Sequence, residues 1–146
     1  MPPISVVIAG RGKAARTTCR SLLEAERGIR VVGEAASGLD TATAVEQLQP
    51  SILLLDLGLF NADSTSLLPV IRRRSPRTRI LLLAHRAPEA RTLEALSLGA
   101  LGYLEKGALR THLPRAVRAV DAGEAWVPRK VVTTIMDYLA RLAVPA

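Results

Sequence analysis

Asp56 is the residue of this sequence that is best placed to do chemistry. It follows Ser51 and the uninterrupted apolar run 52–55. Such a run, without polar alternation, predicts a strand that is buried on both faces, as in a parallel sheet covered by helices. An aspartate that ends this strand lies at the carboxyl edge of the sheet, where open α/β folds bind their ligands. Asp56 is therefore either a reactive carboxylate or what remains of a reactive site.

A glycine-rich segment offers a second kind of chemistry. Gly10, Gly12 and Ala15 have the G-x-G-x-x-A spacing of a dinucleotide-binding loop between a predicted strand and a predicted helix. The glycines would let backbone amides approach a pyrophosphate, and Glu34 would stand where an acid binds the ribose. A dinucleotide-binding domain of the Rossmann type is thus an alternative. It leaves Asp56 without a role, and the second half of such a fold is missing from the sequence.

The elements that must position these residues alternate regularly along the chain. Apolar runs predict strands at 4–9, 30–35, 51–56, 79–84 and 101–104. Helical periodicity predicts helices at about 13–27, 88–99 and 111–122. It also predicts a short second helix that ends before Pro50, with Ala42, Val45 and Leu48 inward, and a third helix with Leu67, Leu68 and Ile71 inward. Ser64, Thr65 or Ser66 is expected to cap the third helix, with Pro69 confined to its first turn. Five β-α units in alternation predict an α/β fold with a doubly wound, five-stranded parallel sheet.

Composition narrows the class of protein. The 146 residues suffice for one domain with a substantial core, and no apolar run or signal peptide indicates a membrane or export. Cys19 lies on the apolar stripe of the first helix, so we expect a core residue in a reducing cytoplasm. His85 and His112 have no partner cysteines. No metal site, no cofactor and no enzymatic activity are predicted.

The net charge of +7 is carried mostly by arginine, with one local cluster at Arg72, Arg73, Arg74, Arg77 and Arg79. A basic cluster can bind nucleic acid, but aromatic side chains for base stacking are nearly absent. We therefore interpret the cluster as a solvated helix end and keep a nucleic-acid patch as the alternative.

Four stretches resemble the receiver domain of bacterial response regulators, in particular the NarL type. They read VVGEAASG at 31–38, LLLDL at 53–57, GALGYLEK at 99–106 and AGEAW at 122–126. The resemblance covers roughly residues 4–127 and implies a flavodoxin-like fold in a two-component system. In that family the aspartate ending the third strand accepts a phosphoryl group from a histidine kinase, and a lysine after the fifth strand contacts that group. Asp56 and Lys106 match these two residues.

The sequence departs from the family at the other parts of this site. Gly10 and Arg11 stand where the family has the acidic pair that helps to hold Mg²⁺, a cation that prefers carboxylate oxygens. Ala84 replaces the switch Thr or Ser, and Phe60 replaces the usual proline. Phosphoryl transfer between two anions needs the divalent cation. We therefore predict an atypical receiver that acts without phosphorylation, with a phosphorylatable receiver as an alternative.

Two hypotheses concern the altered pocket. The guanidinium of Arg11 would take the place of the metal and pair with Asp56 beside Lys106, or it would simply point into solvent. Tyr103 matches the family's switch aromatic, and beside Ala84 its ring has room to lie inward constantly. The alternative is an aromatic that is partly exposed on a contact surface.

The C-terminal segment predicts a contact element. Residues 1–127 are the receiver-like domain, and Pro128 opens a linker or dimerisation helix over 128–146. Its apolar stripe consists of Val131, Val132, Ile135, Met136, Leu139 and Leu142. Such a stripe must fold back on the domain or pair with a partner chain, so we expect a homodimer.

The resemblance also implies partners and a setting. A histidine kinase or another regulatory protein is the further expected partner, and no membrane contact is expected. In NarL-type proteins a helix-turn-helix domain follows the receiver and controls transcription. Because that domain is not in this sequence, we expect an excised receiver that reaches DNA only through it.

Overall fold

The computed structural model describes residues 2–59, 67–85 and 89–143 of the chain. Within them, five strands form one parallel sheet: β1 (Ile4–Ala9), β2 (Ile29–Ala35), β3 (Ile52–Asp56), β4 (Arg79–Ala84) and β5 (Gly102–Glu105). Their order is β2-β1-β3-β4-β5, which places β3 at the centre of the sheet. This is the flavodoxin-like order of a doubly wound sheet. The predicted fold class is therefore confirmed.

Helices cover both faces of this sheet. The helices of the described residues are α1 (Lys13–Glu24), α2 (Gly38–Leu48), α3 (Leu67–Arg74), α4 (Glu89–Ser97), α5 (Leu109–Asp121) and α6 (Arg129–Ala143). The α1 and α5 helices bury apolar side chains on one face, and α2, α3 and α4 do so on the other. In β3, Ile52 and Leu54 face the first layer, whereas Leu53 and Leu55 face the second. This double burial explains why the strand shows no polar alternation.

Element boundaries differ from the sequence predictions by one to three residues. The α1 helix ends at Glu24 rather than at residue 27, because residues 25–28 already turn the chain toward β2, where Ile29 pairs with Ile4. Both β2 and α5 begin earlier than predicted, and β5 spans 102–105 instead of 101–104. The residues predicted to open or cap helices at 64–66 and at Pro88 lie outside the described residues, as do Phe60 and 144–146.

The predicted interior is largely confirmed. Cys19 and Leu23 of α1, and Leu113 and Val117 of α5, are buried in the same apolar layer. Leu48 was expected to point inward, and this was wrong, because it is 45% exposed. It lies in the last turn of α2 over the edge strand β2, where no further strand can cover it.

The arginine cluster belongs to helix ends. The guanidinium of Arg72 donates to the carbonyl of Leu98 just after α4, and that of Arg79 donates to the carbonyls of Val120 and Asp121 at the end of α5. Cations are favoured at these positions because the carbonyl end of a helix is partly negative. These contacts agree with the interpretation as solvated helix ends, and the choice between it and a nucleic-acid patch stays a prediction.

The α6 helix is attached to the domain mainly through its first turn. Val131 is buried, and the Nζ of Lys130 lies 2.5 Å from the Oε1 of Glu105 in β5. Ile135 is half-buried, and the other members of the stripe are exposed: Val132 by 44%, Met136 by 60%, Leu139 by 51% and Leu142 by 66%. Of the two alternatives for the stripe, folding back on the domain thus applies to Val131 and in part to Ile135, and pairing with a partner chain stays a prediction. Within the described part of the chain, no helix has both the length and the apolar character needed to cross a membrane.

Candidate functional site

Asp56 ends β3 at the carboxyl edge of the sheet and is only 6% exposed. Its Oδ2 lies 2.7 Å from the Nζ of Lys106, and its Oδ1 accepts a hydrogen bond of 2.8 Å from the backbone amide of Gly58. A buried carboxylate is costly unless it is paired and hydrogen-bonded. Both oxygens of Asp56 have such partners, and one partner is the lysine that the sequence placed beside it.

The loop between β1 and α1 lies directly behind Asp56. Gly10 is buried, and a Cβ at this position would lie 3.3 Å from the Cβ of Asp56 and 3.6 Å from its Oδ2. A carboxylate at position 10 would therefore face the carboxylate of Asp56. The Arg11 side chain is exposed, and its pairing with Asp56 stays a prediction.

Arg16 of α1 holds this loop in place. Its guanidinium donates to the backbone carbonyl of Gly10 and, at 3.1 Å, to that of Arg11. The same group donates to the Oε1 of Glu34, at the end of β2, also at 3.1 Å. Arg16 thus ties the β1–α1 loop to the neighbouring strand.

Glu34 is also bound by a second cation. The Nε of Arg20 donates to its Oε2 at 2.7 Å. The hydrogen bond from Arg20 is the largest cause that lowers the pKa of Glu34, against the opposing effect of burial. The hydrogen bonds to Glu34 and Glu24 in turn raise the pKa of Arg20.

The contacts of Glu34 argue against the alternative of a dinucleotide-binding domain. The acid that would bind a ribose is occupied on both oxygens by Arg16 and Arg20. The sheet also has the flavodoxin-like order rather than the order 3-2-1-4-5-6 that is usual for dinucleotide-binding domains. The Rossmann-type alternative, with Gly10, Gly12 and Ala15 as its loop, is therefore not supported.

The residues around Asp56 do not suit Mg²⁺, the metal that the family resemblance implies. Mg²⁺ requires several oxygen ligands in near-octahedral geometry. Here Lys106 and the Gly58 amide contact the two oxygens of Asp56, and the carbonyls of Gly10 and Arg11 accept from Arg16. Within 2–59, 67–85 and 89–143, no three His, Cys, Asp or Glu side chains converge in a way that could hold a metal ion.

The two switch positions lie beside this site. Ala84 ends β4, pairs in register with Glu105 and is buried, so its methyl group offers no hydroxyl to the pocket. The ring of Tyr103, in β5, is only 3% exposed and packs in the layer that contains Leu82 and Ala84. The ring therefore lies inward in this structure. That it does so in every state of the protein stays a prediction.

Cys19 lies under Asp56 and shares its environment. Together with Gly10 and Arg16, the two residues line a small pocket of about 10 Å³. Burial raises the pKa of the Cys19 thiol to about 11, and the charge of Asp56 adds to this effect while that of Lys106 opposes it. The expectation of a core residue rather than a reactive thiol is confirmed by its burial.

Sequence reasoning missed three residues that shape this region: Arg16, Glu105 and Lys130. The pair of Arg16 and Glu34 could have been found, because Glu34 is the last residue but one of β2, the neighbour of β1, and Arg16 lies in the first turn of α1, which follows β1. Glu105 precedes Lys106, so adjacent residues of the chain hold α6 and Asp56 respectively. Nothing in the spacing of Lys130 signalled that contact.

Comparisons with known proteins agree with this architecture. A family model described as the response regulator receiver domain matches residues 6–118. The oxygen regulatory protein NreC of Staphylococcus aureus is 30% identical over 135 residues, which are 92% of this chain and 62% of NreC. The chain thus spans less than two thirds of the length of the curated relatives that it matches.

Comparison with solved structures also finds response regulators. A two-component response regulator of the LuxR family from Aurantimonas sp. SI85-9A1 has a TM-score of 0.84 at 25% identity, covering 94% of this chain and 99% of that one. The isolated REC domain of RcsB from Salmonella enterica serovar Typhimurium, solved with the phosphomimetic BeF₃⁻, has a TM-score of 0.80 at 25% identity, covering 90% and 97%. The chain therefore belongs to the response regulator receiver family and is a receiver domain of the NarL/LuxR type.

Proposed function

We propose that this receiver takes part in regulating transcription without being phosphorylated, through contacts with a second copy or with another regulatory protein. The observation that carries the proposal is the state of Asp56. Its two oxygens contact Lys106 and the Gly58 amide, and neither Gly10 nor Arg11 supplies a carboxylate beside it. A phosphoryl donor would have to approach this carboxylate without the cation that normally neutralises the repulsion between them.

The switch positions support the same proposal. In the resembling family, phosphorylation moves a hydroxyl residue and an aromatic residue together. Ala84 has no hydroxyl to move, and Tyr103 is already buried. Even a phosphorylated Asp56 would therefore lack the group that transmits its state to the surface.

The exposed stripe of α6 supports dimerisation. Val132, Met136 and Leu139 stand in solvent on one side of the helix, and apolar patches of this kind mark protein–protein contacts. One solved structure of the related RcsB is described as two RcsB dimers bound to two parallel DNAs. By analogy, we propose a homodimer, with DNA bound by a separate domain of the whole regulator and a histidine kinase as a less favoured partner.

Incubation with acetyl phosphate and Mg²⁺, followed by intact-mass and native-mass measurements, tests the proposal. We expect no mass gain of a phosphoryl group and the same oligomeric state with and without the donor. A matched Asp56→Asn variant identifies any gain at another residue. Stoichiometric phosphorylation that is lost in Asp56→Asn would refute the proposal.

Restoring the acidic pair tests the reason for the loss. The Gly10→Asp/Arg11→Asp double variant places a carboxylate opposite Asp56, where a Cβ at position 10 needs only a small shift of its neighbour. We expect this variant to bind Mg²⁺ and the parent chain not to, as measured by isothermal titration calorimetry. If binding stays absent in the variant, the missing pair is not the main obstacle to metal binding.

A phosphorylatable receiver is the second candidate function. The ion pair between Asp56 and Lys106 favours it, because the family uses these two residues to accept and contact the phosphoryl group. The acetyl phosphate experiment separates the two candidates directly.

A further inference from the structure

A cleft of about 460 Å³ opens between the carboxyl end of the sheet and the first turn of α6. Its walls include Tyr103, Lys106, Leu93, Lys130, Val131 and Thr134. This volume lies within the range of about 300–1,000 Å³ that is common for small-molecule sites. The cleft is separate from the Asp56 carboxylate but borders it through Lys106.

The floor of the cleft is apolar and preformed. Ala84 and the ring of Tyr103 are buried in the layer beneath it, and Val131 is buried at the side of α6. Fixed apolar surfaces of this kind bind the flat or hydrocarbon body of a ligand. The replacement of the family's hydroxyl residue by Ala84 makes the floor less polar than the resemblance alone would suggest.

Two lysines stand at the mouth of the cleft, and each is paired with a carboxylate of the chain: Lys106 with Asp56 and Lys130 with Glu105. Lys106 enters from the end of β5 and Lys130 from the first turn of α6, whereas Glu105 is the one carboxylate among the described residues that line the cleft. An ammonium group carries three donors, so each lysine can keep its carboxylate partner and donate to a ligand oxygen at the same time. Thr134 adds a hydroxyl on the α6 side.

We propose that this cleft binds a small organic acid whose body is aromatic or otherwise apolar and whose carboxylate contacts Lys106 and Lys130. Such a ligand joins β5 to α6, because its acidic group bridges one lysine from each. It therefore fixes the first turn of the helix and with it the direction of the exposed stripe. That regulatory consequence rests on the proposed function, whereas the binding site itself does not.

Three probes separate the two parts of the proposed ligand. 2-Naphthoate has both an aromatic body and a carboxylate, 2-naphthol has the body alone, and acetate has the charge alone. We expect 2-naphthoate to bind saturably with a Kd of about 1 mM or below. The other two probes should bind at least about tenfold more weakly, because each makes half of the contacts. Amide NMR shifts on the full chain should map the binding to Tyr103–Gly107 and to the first turn of α6.

Variants of the chain test whether 2-naphthoate binds in the cleft. Leu93→Trp fills the cleft and should abolish 2-naphthoate binding, and Lys130→Gln, at an exposed position, should weaken it severalfold without affecting folding. Met136→Lys removes apolar surface from the α6 stripe and should leave binding unchanged. The proposal is overturned if 2-naphthoate fails to saturate, if its shifts fall on the stripe, or if Lys130→Gln binds as tightly as the parent chain. None of these results depends on whether Asp56 accepts a phosphoryl group.

Discussion

The Asp56 site and helix α6 differ in whether their costly groups, a buried carboxylate in one and apolar side chains in the other, have partners within the chain. At the site, a buried carboxylate has partners on both oxygens, from Lys106 and from the Gly58 amide. On α6, Val131 is buried, while Val132, Met136 and Leu139 remain in solvent. The Asp56 carboxylate thus has its partners within this chain, whereas most of the apolar stripe of α6 is not covered by it.

This difference indicates where the receiver keeps its capacity to respond. A switch needs an element whose free energy changes when a partner or ligand binds. The Asp56 site offers little, because its charges are already satisfied and a metal has no ligands beside them. The α6 stripe offers more, because covering it removes apolar surface from water. Under the proposed function, we therefore expect the Asp56 site to have a structural role and the α6 stripe to provide the contact surface.

Removing the cation from the Asp56 site should produce the largest effect. Lys106→Met is expected to lower the free energy of unfolding by about 3 kcal/mol, because it leaves a buried carboxylate without its partner. Urea denaturation followed by circular dichroism measures this change. Adding Asp56→Asn should recover most of the loss, since no charge then remains to be neutralised.

The pair of Lys130 and Glu105 is the matched control. Its Nζ–Oε1 distance is 2.5 Å, shorter than that of the Asp56 pair, but the side chains are 72% and 39% exposed. Lys130→Met should therefore change the free energy of unfolding by less than about 0.5 kcal/mol. Equal losses in the two lysine variants would contradict the view that burial distinguishes the two regions.

The thiol beneath Asp56 provides a second probe of the buried region. Because the pKa of Cys19 is raised to about 11, the thiolate fraction at pH 8 should be about 100-fold lower in the folded than in the unfolded protein. Alkylation by iodoacetamide, with and without urea, measures this ratio. Lys106→Met should slow the native reaction further, because the charge of Lys106 lowers the pKa of the thiol. A native rate close to the unfolded one would contradict the described burial.

The exposed stripe should respond in the opposite way to mutation. Leu139→Lys is expected to raise the dimer dissociation constant by about tenfold, with almost no change in the stability of the monomer. Sedimentation equilibrium and urea denaturation measure the two quantities. Leu39→Lys is the matched control, since Leu39 is also exposed but lies on α2. An equal effect of both variants on the dissociation constant would show that surface charge, not the stripe, controls association.

The fold could be predicted from the sequence because local patterns and packing agree. The run 52–55 is apolar on every side chain, and β3 is covered on both faces. Element ends were less predictable, since the end of α1 depends on where Ile29 must meet Ile4 across the sheet. Leu48 was misplaced for the same reason: its periodicity fits a buried position, but the sheet ends beneath it.

The candidate site could be predicted only in part. The resemblance identified Asp56, Lys106 and the missing carboxylates at Gly10 and Arg11, because these positions carry a recognisable motif. The resemblance gave no indication of Arg16, which donates hydrogen bonds to the backbone carbonyls of Gly10 and Arg11. Position 16 is not part of the motif. Contacts between separate elements, such as that of Lys130 with Glu105, depend on how α6 docks, which no local pattern encodes.

The smallest expected effect concerns the ion pairs that hold the loop behind Asp56. The pKa of Glu34 is lowered in the folded protein, chiefly by Arg20, so its carboxylate stabilises the fold above its unfolded pKa. That contribution is lost as the pH falls through the lowered folded value. Glu34→Gln should therefore reduce the free energy of unfolding by less than about 1 kcal/mol at pH 7, and the two proteins should converge as the pH falls below the lowered folded pKa of Glu34.

Urea denaturation across this pH range tests the expectation, with Glu46→Gln as the control. Glu46 pairs with Arg74 at 3.3 Å, with side chains that are 57% and 43% exposed, and it lies on α2 away from the loop. A smaller loss is expected there, because solvent screens an exposed pair more effectively. If the difference between Glu34→Gln and the parent chain stayed the same from neutral to acidic pH, the ion pairs of Glu34 with Arg16 and Arg20 would not stabilise the fold.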